Sequence, residues 1–273
     1  NSLSTQWKSI AQRIVEIAKT EPMAEPPEGM VTIPAGEFDF VVGGIEVEGQ
    51  TWEGVDFQYP WESSARRGHR KLMQMRAFHI DRYPVTNAQF KRFLDDSDYQ
   101  PRDAHNFLRD WIDGAPPEGW DAKPVTWVSI EDARAYAKWA GKRLPHEWEW
   151  QYAAQGNDGR AYPWGNTWDA AAVPAVNRER RLLPPADVDA HPDGISPFGV
   201  MGMVGNVWQW TDEYGDDHTR AAVLRGGSAY HPQTSHWYFP QAYRLDQHGK
   251  YLLMAPCKDR SGCVGFRCVV DAE

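Results

Sequence analysis

Fourteen tryptophans in 273 residues, set among 23 glycines and 20 prolines, narrow what this chain can become. Glycine weakens helices and strands, and proline removes a backbone donor, so such a chain carries much irregular backbone. Large flat side chains must then pin the loops by filling the space between them. A helical bundle is not expected. Hydrophobic residues make up 41% and charged residues 25%, the values of a globular chain and not of a disordered one. Lysine and arginine number 29 against 38 aspartates and glutamates, a net charge of −9. That balance argues against a nucleic-acid partner or an anionic membrane surface, where clustered positive charge supplies affinity. No apolar run is long enough to span a bilayer.

Periodicity places the elements. Trp7, Ile10, Ile14 and Ile17 recur at steps of three and four, which predicts an amphipathic helix over 3–19. Three prolines between Glu21 and Pro27 then read as a linker. Residues 1–27 are thus expected to form a helix and linker, and 28–273 a single mixed domain. Alternation predicts one strand over Met30–Phe40, and another around Phe78–Tyr83. Between them, residues 41–62, with Trp52, Tyr59 and Trp61, read as a long loop or hairpin outside the core. Thr86 with Gln89, and Ser129 with Asp132, are N-cap pairs, each opening a helix; Gly141 stops the second. A short helix follows over His146–Ala154. Beyond Gln155 no period is clear, and short strands and turns are expected.

Three cysteines cannot staple a chain of this size. Cys257 and Cys263 flank a turn-forming stretch that either closes a small disulfide loop or separates two unrelated thiols, since spacing does not fix Cα geometry. Cys268 lies in an apolar terminal strand and reads as a buried free thiol. The chain opens at Asn1 without Met or a cleavable signal pattern, as expected of a sequence whose natural N-terminus lies upstream. An exported location, periplasmic or extracellular, is the favoured expectation, with other domains fused in the full-length protein.

Eight motifs occur in a fixed order: Met30-Val-Thr-Ile-Pro-Ala-Gly36, Tyr83-Pro-Val-Thr-Asn87, Pro124-Val-Thr-Trp-Val-Ser129, Ala140-Gly-Lys-Arg-Leu-Pro-His-Glu147, Tyr162-Pro-Trp-Gly-Asn166, Gly205-Asn-Val-Trp-Gln-Trp-Thr211, Arg225-Gly-Gly-Ser228 and Gly265-Phe-Arg-Cys268. Together they resemble the formylglycine-generating enzyme, or sulfatase-modifying factor, family over roughly residues 28–270. The resemblance implies an α+β fold of the C-type-lectin-like kind, with little regular secondary structure. It does not imply activity, because fold and function separate easily.

Enzymes of that family oxidise a substrate cysteine with two copper-binding cysteines that follow the Arg-Gly-Gly-Ser segment. In register, those positions are His231 and His236. Two imidazoles form a borderline ligand set suited to zinc, copper(II) or nickel, but no third ligand is evident. A transition metal at His231 and His236 is therefore disfavoured, and formylglycine chemistry is expected to be lost. The family's structural cysteine positions read as Ala137 and Ala154, leaving Cys268 without its usual partner. The resemblance also implies a calcium site at Asn206, the Val207 carbonyl and Gln209, with Gln209 standing where the family has glutamate. A second calcium site at Asn177 is doubtful.

The expectation for function is a ligand-binding or scaffold module. Its groove would be formed by Trp210, Ser228, His231, Gln233, His236, Trp237 and Tyr238 beside the 41–62 segment, and would take a small molecule, sugar or peptide. The alternative is a divergent metal- and oxygen-dependent oxidase, as in the related sulfoxide synthases, which also lack the cysteine pair. A third reading, formylglycine generation by relocated Cys257 and Cys263, rests on spacing alone.

Overall fold

The structure, a computed structural model, describes residues 11–45, 56–179, 181–231 and 241–273. Among these residues, ten strands and four short α-helices are embedded in long loops: β1 (Arg13–Ile14), β2 (Met30–Ile33), β3 (Gly36–Ile45), β4 (Gly68–Met75), β5 (Phe78–Asp81), α1 (Asn87–Ser97), α2 (Ile130–Trp139), α3 (Glu147–Gln155), β6 (Trp208–Gly215), β7 (Arg220–Arg225), β8 (Gln247–Leu253), α4 (Pro256–Asp259), β9 (Val264–Gly265) and β10 (Val269–Asp271). A seven-stranded sheet runs β1-β6-β7-β8-β3-β4 with β9 beside β6, and a three-stranded sheet runs β10-β5-β2. The fold is α+β with few helices, as expected.

The two capped helices form where the sequence places them. Thr86 accepts the Gln89 amide while the Gln89 side chain accepts the Thr86 amide, closing a capping box that satisfies two orphan donors. Ser129 and Asp132 do the same for α2. Phe90 and Phe93 on α1 meet Tyr136 on α2 at 5.7 and 5.6 Å between ring centroids, and with Ala137 and Cys268 they form one core. The second core lies under β3, whose Phe38, Phe40 and Val42 point inward against Trp150, Tyr152 and Ala154 of α3.

Several expectations give way. Residues 11–19 are not helical. Arg13–Ile14 pairs with Gly215 and Tyr214 of β6, and burial alternates with Gln12 and Ile14 inward, the period of a strand. The following segment is sewn to the C-terminus: Met23 N–H donates to Asp271 O at 3.0 Å, and the Thr20 amide to the Asp271 carboxylate at 2.7 Å. The single strand expected over Met30–Phe40 is two, in different sheets, because Pro34 interrupts the ladder. Much of the 41–62 stretch belongs to the core. β3 continues to Ile45, Phe57 and Tyr59 are fully buried, and Tyr59 stacks on Trp61 at 4.7 Å; Trp52 lies outside the described residues. Cys257 and Cys263 form no bridge: they are two separate thiols, with Cys263 buried in the α1–α2 core.

Candidate functional site

The Arg225-Gly-Gly-Ser228 segment leaves β7 through two glycines that no other residue could replace. Gly226 and Gly227 have φ of +91° and +65°, and a Cβ on Gly226 would sit 2.3 Å from the Met203 carbonyl oxygen. The chain then runs beside Asn177: Asn177 N–H donates to Ala229 O at 2.7 Å, and His231 N–H to Asn177 O at 2.8 Å. His231 thus stands at a fixed rim. His236, Gln233, Trp237 and Tyr238 lie outside the described residues.

A buried ionic cluster anchors the root of this segment. Arg225 donates to Glu147 at 2.7 Å, and His248 Nδ1 and the Tyr59 hydroxyl reach the same carboxylate at 2.6 and 2.5 Å. Burial alone would raise the Glu147 carboxyl, but His248, Arg225 and the Tyr59 hydroxyl overcome it and hold it down at about 2. Tyr59 is pushed up by burial and by that negative charge. Glu147 also takes its position from Asp212, which accepts its backbone N–H at 2.7 Å and binds the His146 ring at 2.7 Å. These residues were missed because they come from five distant segments and show no spacing.

Two members of the expected groove are core residues. Trp210 is fully buried, with its indole N–H donating to the Val128 carbonyl at 3.0 Å, and Ser228 is 2% exposed. The calcium ligands do not fit a cation. Gln209 Oε1 already accepts from Trp150 Nε1 at 3.0 Å and Arg267 Nε at 2.7 Å, and a cation there would face a guanidinium. Its amide nitrogen donates to the Gly202 and Met203 carbonyls. Asn206 closes a reciprocal pair with the Ala186 backbone at 3.0 and 2.9 Å, and Val207 is buried beside it. At the second position, Asn177 accepts from the Glu179 amide and donates to Arg181 O, which uses its side chain as a loop staple. Among the described residues, no three His, Cys, Asp or Glu side chains converge to hold a metal.

Open space lies nearby, along the 182–185 segment. Cavities of about 280 and 440 Å³ adjoin there and share Leu182–Pro185, Tyr230 and Cys263 as walls. At their floor, the Cys263 Sγ lies 3.1 Å from the Ser261 hydroxyl. Burial pushes this thiol up, opposed by hydrogen bonds from Ser261 and Ser228, so it is protonated at neutral pH. Trp127 forms one side. Its φ of +58° is rare for a bulky residue, and it is held by Trp127 N–H donating to Ser261 O and Leu108 N–H donating to Trp127 O. Its indole donates to Asp110 at 2.7 Å. The motif containing Trp127 was legible, but its left-handed backbone and its place on the groove were not. A copper site of the family's kind needs two thiolates; among the described residues this groove offers one thiol, Cys263, a donor set that does not fit.

Comparison with known proteins agrees with this architecture. The hercynine oxygenase of Mycolicibacterium thermoresistibile is 36% identical over 164 residues, covering 51% of this chain and 36% of that protein. The formylglycine-generating enzyme of Streptomyces coelicolor is 30% identical, with 94% of each chain covered. The chain spans about half or less of several of the curated relatives it matches. The solved structure of PvdO from Pseudomonas aeruginosa superposes with a TM-score of 0.59 over 96% of this chain and 100% of that one, at 21% identity, a likeness of fold alone. The family model for the sulfatase-modifying factor enzyme 1-like domain matches residues 16–272, and the chain belongs to that family.

Proposed function

We propose that this domain binds a ligand in the groove bordered by Trp127, Tyr230 and Cys263, and that it does not generate formylglycine. The observation that carries the reading is the chemistry of the two positions that follow the Arg-Gly-Gly-Ser segment, His231 and His236, where two thiolates would have to stand. An imidazole neither forms a mixed disulfide with a substrate cysteine nor offers copper(I) a soft ligand. The groove supports binding instead: it is preformed, partly apolar, and fitted with a few polar groups at its floor.

The test is direct. Protein incubated with copper, oxygen and a peptide bearing a sulfatase-type cysteine motif gives no aldehyde by mass spectrometry, whereas a formylglycine-generating enzyme run in parallel does. Aldehyde formation that disappears in Cys263→Ser would overturn the reading. A second reading, metal- and oxygen-dependent oxidation, is supported by the likeness to hercynine oxygenase. It predicts tightly bound iron or copper in protein purified from its natural source, measurable by elemental analysis.

A further inference from the structure

The larger of these two cavities is lined by more cationic than anionic side chains. Arg109 and Arg181 both line it and both are exposed, in a protein whose net charge is −9. Neither guanidinium has an ion pair among the described residues. Asp110, the one acidic residue lining this cavity, is engaged by the Trp127 indole N–H. Arg109 lies over the face of the same indole, 5.1 Å from its centroid, so its fork is held by stacking with its N–H edge free. Lys123, which lines the adjoining cavity, is by contrast paired with Asp187 at 2.7 Å.

We propose that this groove selects carboxylate-bearing ligands, specifically an acidic peptide lying extended along the two adjoining cavities. Arg109 and Arg181 take the carboxylate, since a planar guanidinium matches it with two parallel hydrogen bonds. Trp120, Trp127 and Tyr230 cover the apolar flank of the residue that carries it. The two cavities share Leu182–Pro185, Tyr230 and Cys263 as walls, and at about 280 and 440 Å³ they hold more than one acidic side chain fills, which suits a peptide of several residues. This inference rests on the groove being the ligand site, and its test separates the two.

The experiment is fluorescence anisotropy with labelled octapeptides of Gly, Phe and Pro that carry three Glu, three Gln or three Lys. The Glu peptide binds about tenfold more tightly than the Gln peptide, and the preference shrinks as salt is raised. Arg109→Ala and Arg181→Ala each weaken the Glu peptide severalfold more than the Gln peptide, with the melting temperature unchanged. Equal binding of all three peptides, lost in Trp127→Ala, overturns the carboxylate preference and leaves the groove standing. Binding of the Glu peptide that ignores both arginine variants overturns it as well. No binding of any peptide overturns both readings.

Discussion

Arg225 Nη1 donates to Glu147 Oε1 at 2.7 Å with both side chains fully excluded from solvent, one residue before the glycine turn that leads to His231. A buried pair of this kind is costly to break from one side, because the survivor is left charged and unpaired. Glu147→Gln is expected to lose about 3–5 kcal/mol of folding free energy, measured by urea denaturation. A double replacement of both residues by apolar ones should lose much less. If the single substitution is neutral, the cluster does not hold the segment.

The same carboxylate sets an acid limb. Its folded value of about 2 lies below the ordinary value of 4.5, so its contribution is fully present above 4.5 and is lost as pH falls toward 2. Stability against urea should therefore drop between those limits. In Glu147→Gln the part of the drop that belongs to this group disappears, and the difference between the two pH profiles isolates it.

Two tryptophans should part company. Trp210→Ala removes a fully buried indole and its bond to Val128, at a cost of about 3–5 kcal/mol. Trp127 is half-buried on the groove wall, so Trp127→Ala should cost much less in stability and show its effect in ligand binding. Thermal melting with peptide titration distinguishes the two, and equal destabilisation would make Trp127 a core residue.

All three cysteines should titrate as free thiols under denaturing, non-reducing conditions. In the native state Cys257 reacts first, being half-exposed, although its hydrogen bond to Asp103 raises its thiol and slows it. Cys263 follows slowly, and Cys268 reacts only on unfolding, because burial pushes both up. Alkylation followed by peptide mapping gives the order. Recovery of one thiol in place of three would mean that Cys257 and Cys263 are bridged after all.

Calcium should leave the melting temperature where it is. Gln209 already fills its surroundings with four hydrogen bonds, to Trp150, Arg267, Gly202 and Met203. Gln209→Glu should destabilise, since an oxygen replaces the amide nitrogen against two carbonyls. Differential scanning calorimetry in chelator and in calcium tests both statements.

What the sequence revealed was local. The capping boxes at Thr86 and Ser129 need only four consecutive residues, and both were legible. The N-terminal segment was misread because Ile10, Ile14 and Ile17 fit a helix, while the partner that makes Ile14 a strand residue is Tyr214, two hundred positions away. Tyr59 and Trp61 sat in glycine-rich surroundings and read as loop, yet their burial is decided by Glu147 of α3, His69 of β4 and Phe40 of β3. At the site, the loss of the thiolate pair was visible in register. The groove wall was not, because Trp127 takes its place there from a left-handed backbone angle, and Cys263 meets the 182–185 segment only in the folded chain.

The two residues of β1 have a role out of proportion to their length. Beyond the bulge between Trp210 and Glu213, β6 has β7 on one side and only Arg13–Ile14, with Val15 donating to Glu213 O, on the other. Without them, the Glu213–Gly215 end of the seven-stranded sheet would present bare amides and carbonyls to solvent, a template for a second molecule. The N-terminal segment is therefore a guard strip: trimming it to residue 16 would leave most of the core intact and turn a closed margin into an adhesive one.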